Sequence, residues 1–464
     1  MMTLKIAFRN ILRNRRRSAT TVLAIAVGAV GIVLFGEFVG FVTAGLETSA
    51  VQKVGHLAVF RTGYFAFGAG NPSEFGIDDY SGVVRLIRDD PEVGPRVDVV
   101  TPVVALAGIA GNFELDASKT FLGTGVIPSD RDRMQRWDEH GVARRRVIPA
   151  SGLRDDDETS GVVGVGLARV LGLCERLGLS GCPPRPAPRE ATGAALSPEL
   201  ANLAQADRAA GPSPAGDPPR LDLLAATAGG APNVVSLVVR GAEPQGVREL
   251  DDNFVAMHLA LAQKLVYGRA AAKATGIVVQ LRRTEDLGLA RDRLRAVFAA
   301  HHLDLELRDF AELQPFYRQA VGMFRAIFLF ISVIMGVIVL FTVVNTMGMT
   351  VMERTTEIGT ARALGVRRAG IRRLFVIEGA IVGAIGATVG AVVATGVAAL
   401  INHGALTWTP PGQAAPVPLE VLTSGSAGFV ATVWIGLVAA ATLAALVPAN
   451  RAARLQVVDA LRHI

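Results

Sequence analysis

Charged and chemically versatile side chains are scarce in this 464-residue chain: 19% of residues are charged and 50% are hydrophobic. There are two cysteines, Cys174 and Cys182. Two isolated thiols do not make a metal site, and no metal is expected. The seven histidines are scattered apart from His301-His302, which reads as a solvated turn. Neither a His-Glu-x-x-His zinc motif nor a Gly-x-Ser-x-Gly nucleophile elbow occurs. No lysine follows a glycine, so the phosphate-cradling Gly-x-x-x-x-Gly-Lys-Ser/Thr loop is missing. Nucleotide hydrolysis is therefore not expected on this polypeptide, and no catalytic constellation takes its place.

What the chain has instead is long apolar runs. Its mean hydropathy is +0.39. Four segments, about 19–43, 322–352, 374–402 and 426–448, are long enough to cross a bilayer core, which takes roughly 20 residues. Lysine and arginine cluster beside them. Residues 1–18 carry six basic groups and no acid, residues 353–373 carry six more, and Arg451, Arg454 and Arg462 follow the last run. Loop 403–425 has no lysine or arginine. The positive-inside rule then places both termini and the 353–373 connector in the cytoplasm. It places loop 403–425 and the soluble stretch 44–321 outside. That stretch holds 31 basic and 35 acidic residues, net −4, while the whole chain is +6. The surplus positive charge thus marks membrane topology and not a nucleic-acid footprint. The first apolar run is longer than the core of a cleavable signal and reads as an uncleaved anchor. Before it, Leu4, Phe8, Ile11 and Leu12 share one helical face opposite Lys5, Arg9, Arg13 and Arg16. That pattern suits an amphipathic helix at an anionic inner leaflet, and equally a plain topology anchor.

The expected fold is an integral membrane protein of four transmembrane α-helices in a 1+3 arrangement. A large α+β periplasmic domain at 44–321, with stalk helices, separates the first and second. In that domain, strands are expected at 56–61, within 96–127, at 234–239, 276–281 and 303–307, and helices at 81–90, 249–267 and 285–300. Residues 183–219 hold nine of the 23 prolines and read as a flexible surface insertion. Cys174 and Cys182 lie at its edge, eight residues apart. Whether they are bonded stays open on sequence.

Three features stand out in the membrane part. In the connector Glu353, Glu357, Arg354 and Arg362 include charge pairs at three-to-five-residue spacing, Glu357 with Arg354 and Arg362, which supports a helix. Gly365 is suited to end that helix, because glycine tolerates the left-handed cap conformation. Small residues Gly359, Ala361 and Ala363 would let a partner approach closely. In the third run, Gly379, Gly383, Gly386 and Gly390 form a stripe fit for tight helix packing, within the chain or between two copies. Glu37, with Phe38, Phe41, Arg325 and Phe328, outlines a candidate lateral substrate cavity. Arg325 is the expected charge partner of Glu37, and an interfacial carboxylate is the plainer alternative.

Four segments carry a resemblance. They are Ala7-Phe-Arg-Asn-Ile-Leu-Arg-Asn-Arg-Arg-Arg17, Glu353-Arg-Thr-Thr-Glu-Ile-Gly-Thr-Ala-Arg-Ala-Leu-Gly365, Val344-Asn-Thr-Met347, and Pro448-Ala-Asn-Arg-Ala-Ala-Arg454 with Val458-Asp-Ala-Leu461. Together with the span order they resemble the MacB/LolC/LolE/FtsX-type permeases of ABC transporters, and the separate, full-sized outer domain sits nearest the lipoprotein-releasing LolC/LolE group. The resemblance implies a non-catalytic bacterial inner-membrane subunit. It implies two copies of a cytoplasmic ATPase, with ATP and magnesium bound there and no cofactor on this chain. It also implies a second permease, identical or paralogous, and a periplasmic carrier or adaptor. Coupling residues would map to Glu353, Arg354, Glu357, Ile358, Gly359, Arg362, Ala363 and Gly365. Lipoprotein or lipid release is the leading function. Efflux of hydrophobic molecules with an adaptor and signalling to a cell-wall hydrolase are the alternatives.

Overall fold

The structure, a computed structural model, describes residues 2–13, 15–68, 70–142, 151–180, 182, 218–404, 406–408, 417–421 and 427–456. The expected insertion at 183–219 lies almost entirely outside the described residues, as does the segment 458–461. The chain divides into two compact units. One comprises Met1–Leu46, Phe316–Trp408 and Val417–Ile464, the other mainly Glu47–Pro315.

The first unit is helical. A short N-terminal helix (Met2–Arg13) is followed by four long helices, Arg15–Val54, Pro315–Glu353, Arg368–His403 and Ala427–Arg454. All four are long and apolar enough to cross a membrane. At 1.5 Å per residue each exceeds the roughly 30 Å of a bilayer core. Their shared core runs from Ile25 and Ala29 through Val339, Val343 and Phe375 to Ala441 and Ala445. The glycine stripe makes this closeness possible. A Cβ on Gly379 or Gly383 would lie 2.4 Å from the Ala445 Cβ or 2.7 Å from the Ala441 Cβ on the fourth long helix. On Gly386 or Gly390 it would lie 2.7 Å from the Ile25 Cβ or 2.5 Å from the Ala29 Cβ on the first. The stripe therefore packs within the chain and is filled by it.

The second unit is built on nine strands, β1 (Leu57–Arg61), β2 (Val97–Asn112), β3 (Ala117–Val126), β4 (Ser160–Gly164), β5 (Arg220–Ala226), β6 (Pro232–Glu243), β7 (Phe254–His258), β8 (Gly276–Leu281) and β9 (Leu305–Asp309). Their order is β3-β7-β4-β6-β5-β2-β8-β1-β9, and β3 also pairs with β2. That extra pairing closes β2, β3, β7, β4, β6 and β5 into a ring. The ring surrounds Phe121, Leu221, Leu223, Leu237, Val255 and Met257, plugged by helix Leu259–Tyr267. The open part, β2-β8-β1-β9, forms a second core with helices Tyr80–Arg88 and Leu287–Ala300. Strand β2 serves both cores, pairing with β8 over Val97–Val103 and with β3 over Val104–Asn112.

The structure departs from the sequence reading of this unit in one helix and goes beyond it at two strands. The glycines of 96–127 do not break the strand into fragments. Gly108 lies where the Leu224 carbonyl oxygen would be 2.3 Å from a Cβ, so it admits a neighbouring backbone without ending the strand. The helix expected over 249–267 is divided: Phe254–His258 is strand β7, parallel to β3 and antiparallel to β4. Its Ala, Met and His are weak strand formers, so tertiary pairing decides their state. Strand β5, beside the proline-rich segment, has no counterpart in the sequence reading.

The first long helix ends in this unit in a buried polar knot. Gly55, with φ +69°, turns the chain from Val54 into β1. The next residue, His56, is fully buried. Its Nδ1 accepts the Leu281 N–H at 3.0 Å, and its Nε2 lies 3.2 Å from the Thr284 hydroxyl. Thr284 donates in turn to Glu47 Oε1 at 2.6 Å, which also meets His140 Nε2 at 3.2 Å. Trp137 packs edge-on against the His56 ring, with centroids 4.9 Å apart. Because Nδ1 is taken by a backbone donor, the ring is neutral with its proton on Nε2. Burial pushes its pKa down to about 4.

Candidate functional site

The connector between the second and third long helices is a short helix, Thr355–Ala363. Arg354 caps it outside helical geometry, at φ −101° and ψ 16°. At its far end the Gly365 N–H bonds to the Arg362 carbonyl at 3.1 Å and the Val366 N–H to the Ala361 carbonyl at 3.1 Å. With Gly365 at φ +97°, this is a Schellman ending, a conformation glycine enters without a Cβ penalty. The third long helix begins at Arg368.

Of the local charge pairs read from the sequence, Arg354–Glu357 forms at 3.5 Å, and both acidic residues also take partners distant in sequence. Glu353 takes a two-pronged pair from Arg17, both oxygens at 2.5 Å. Glu357 takes Arg13 at 2.6 Å and lies 3.5 Å from Arg354 Nε. Arg362 donates to the Ala453 carbonyl at 2.8 Å, at the end of the fourth long helix. Partners distant in sequence but fixed by packing thus add to the one local pair. An isolated exposed pair contributes about 0.2–1 kcal/mol, so these contacts orient more than they stabilise.

Beneath them lies a charge that the sequence reading passed over. Glu378 stands on the third long helix with its side chain 5% exposed, against Arg354 at 8%. Arg354 Nη1 is 3.2 Å from Glu378 Oε1, and Asn10 Nδ2 donates to the same oxygen at 2.6 Å. The three residues, with Arg17, Thr346 and Thr350, line a cavity of about 30 Å³. That is room for about one water molecule. The signal for Glu378 was present in the sequence, as a lone carboxylate four residues into the expected third span. A charge at that depth is costly unless partnered.

The remaining candidates separate by exposure. Ile358 and Gly359 are buried in the helical core, while Ala363 and Gly365 are exposed. Two residues absent from the sequence reading are the most available apolar groups of the connector: Leu364 is 82% exposed and Val366 42%. Exposed Arg367 and Arg368 follow them. Glu37 is buried and Arg325 is exposed. Phe38 and Phe41 are half-buried, and Phe38 lies 6.3 Å from Phe35 between ring centroids. Phe328 stacks 6.4 Å from Phe35 and 6.0 Å from Phe429. The Phe328 and Phe429 rings close over Gly36, whose Cβ position lies 2.2 Å from Phe429 Cζ. Aromatic packing thus fills this level of the helices beside Phe328. Cys174 and Cys182 are joined in a disulfide, with Cα atoms 6.2 Å apart.

Four membrane-length helices, with a charged connector between the second and third, are the features of a polytopic helical membrane protein. Comparison identifies a domain within it. Residues 329–457 match the FtsX-like permease C-terminal family, so the chain carries an FtsX-like permease domain. It is homologous to ABC transporter permeases. It is 30% identical over 154 residues to the ABC transporter permease YtrF of Bacillus subtilis, covering 30% of this chain and 33% of that protein. It is 26% identical over 188 residues to the macrolide export ATP-binding/permease protein MacB of Neisseria gonorrhoeae, covering 40% and 27%. With MacB of Hyphomonas neptunium it shares 24% over 235 residues, covering 50% and 34%. The chain thus spans about a third or less of the length of these relatives.

Proposed function

We propose that this chain is the membrane subunit of an ABC transporter in which the 353–373 connector receives the movement of an ATPase. ATP and magnesium would be bound by that ATPase, and two copies of it would serve a pair of permeases. The observation that carries this reading is the connector itself. It presents Leu364 and Val366 to a partner, while Ile358, Arg354 and Arg362 root it in the third and fourth long helices. A helix with an exposed apolar end and a buried, charge-tied base passes displacement inward and does not absorb it.

The topology belongs to the same proposal. Both termini and the connector face the cytoplasm of a bacterial inner membrane. The nine-stranded unit faces the periplasm between the first span and the other three, where a carrier or adaptor would meet it. For cargo, lipoprotein or lipid release is the first reading, since a full-sized outer domain suits extraction from the outer leaflet. Export of a hydrophobic small molecule is the second, favoured by the relatives named for macrolide export.

The test is purification of the tagged chain from native membranes. An ABC ATPase should accompany it and hydrolyse ATP. The double variant Leu364→Asp/Val366→Asp should lose that ATPase while keeping the fold. Retention of the ATPase at wild-type level by this variant would remove the connector from the interface.

A further inference from the structure

We propose that the N-terminal helix and the connector move as one body, and that Glu353 and Glu357 serve this internal attachment and not the ATPase surface. The inference rests on the coupling reading above, but its geometric part stands alone. Glu353 is gripped by both guanidinium nitrogens of Arg17. Such fork-to-fork pairing fixes orientation as well as distance. Arg17 belongs to the first long helix, so the pair ties the beginning of that helix directly to the end of the second. Arg13, on the N-terminal helix, holds Glu357 one turn further along.

The third tie is buried. Asn10 and Arg354 share the Glu378 carboxylate, which joins the N-terminal helix, the connector and the third long helix at one point. Ser18 Oγ donates to the Ile11 carbonyl at 3.2 Å across the break between the N-terminal helix and the first long helix. Any displacement of the connector is then transmitted to the first span by charge pairs, in addition to the covalent path into the second and third. Asn10, Arg13 and Arg17 are positioning residues in this scheme.

The test uses the full chain in lipid nanodiscs with Arg17→Glu, Glu353→Arg and the exchanged pair Arg17→Glu/Glu353→Arg. Amide hydrogen exchange of residues 6–13 should rise by up to about fivefold in each single variant, the upper end for a surface ion pair. The exchanged pair should return it toward wild type. ATP turnover of the complex purified through this chain should fall in both single variants and recover in the exchanged pair. Recovery by charge exchange separates attachment from simple loss of folding. If Arg17→Glu leaves exchange and turnover unchanged while Glu353→Arg abolishes turnover, Glu353 faces the ATPase and the proposal is overturned. If exchange recovers but turnover does not, the attachment exists without carrying movement, and the relay is overturned. If no ATPase accompanies the wild type, the coupling reading fails, and hydrogen exchange alone decides the attachment.

Discussion

Lowering the pH from 7.5 to 4.5 should weaken the nine-stranded unit, and His56 should account for most of that loss. The ring is fully buried, its Nδ1 accepts the Leu281 N–H, and its Nε2 proton points at Thr284. A second proton would have to sit on Nδ1, facing the Leu281 backbone N–H. The folded pKa is accordingly pushed from 6.5 to about 4. The sign follows: the unfolded chain binds a proton near pH 6.5, and the folded chain resists it until near pH 4. The stabilisation is complete above about pH 6.5 and is lost as pH falls from there toward 4. A shift of this size corresponds to about 3 kcal/mol at 1.36 kcal/mol per pH unit. For a unit of this size that is roughly 6–12 °C in melting temperature.

Trp137, 4.9 Å from the ring, is a built-in reporter. Thermal unfolding of the full chain would be followed by its fluorescence after Trp408→Phe and Trp434→Phe. Other groups titrate nearby in pH. Asp157, held low by Arg240, loses stability only below the ordinary carboxylate range, while burial raises Asp251 and gives it the opposite slope. The decisive quantity is therefore the difference between wild type and His56→Gln. The variant should be less stable at pH 7.5 but nearly flat from 6.5 to 4.5. Equal slopes in the two proteins would refute the assignment.

Further outcomes are expected in the helical unit. Gly390→Val must push the third long helix off Ala26 and Ala29 of the first, costing about 1–3 kcal/mol or more, read as a lowered melting temperature in detergent. Gly396→Ala, with open space around its Cβ position, should be silent in the same assay. Arg354→Met leaves the buried Glu378 carboxylate without its cation and should cost about 3–5 kcal/mol; Arg354→Met/Glu378→Met should recover most of it. If the double variant is as unstable as the single, the buried pair is not what holds the connector base.

Much of the helical unit was legible because its signals are local. Apolar runs longer than 20 residues, a glycine step of four, three and four, and a Gly365 ending each act through the chain's own covalent geometry. The nine-stranded unit was less so. Strand β7 depends on its pairing with β3, between residues 132 positions apart, and Phe254–His258 alone has little preference for either state. The connector divides along the same line. Its helix and its glycine cap were readable, but the pairs of Glu353 with Arg17 and of Glu357 with Arg13 join residues 336 and 344 positions apart, beyond any periodicity.

Those long-range pairs alter what an acidic residue in the connector means. Read alone, Glu353 and Glu357 look like the part of the helix that a positive-inside rule leaves unexplained, and therefore like contacts for a partner. Once Arg13 and Arg17 are opposite them, their charge is answered within the chain. What then remains unanswered on the connector is apolar: Leu364 and Val366, held outward by a glycine turn and followed by a run of arginines. An apolar knob rimmed by positive charge suits a groove with an acidic border. A Glu357→Lys variant would consequently act by releasing the N-terminal helix, and it should raise hydrogen exchange in residues 6–13 before any partner is added. Unchanged exchange with lost ATP turnover would return Glu357 to the partner surface.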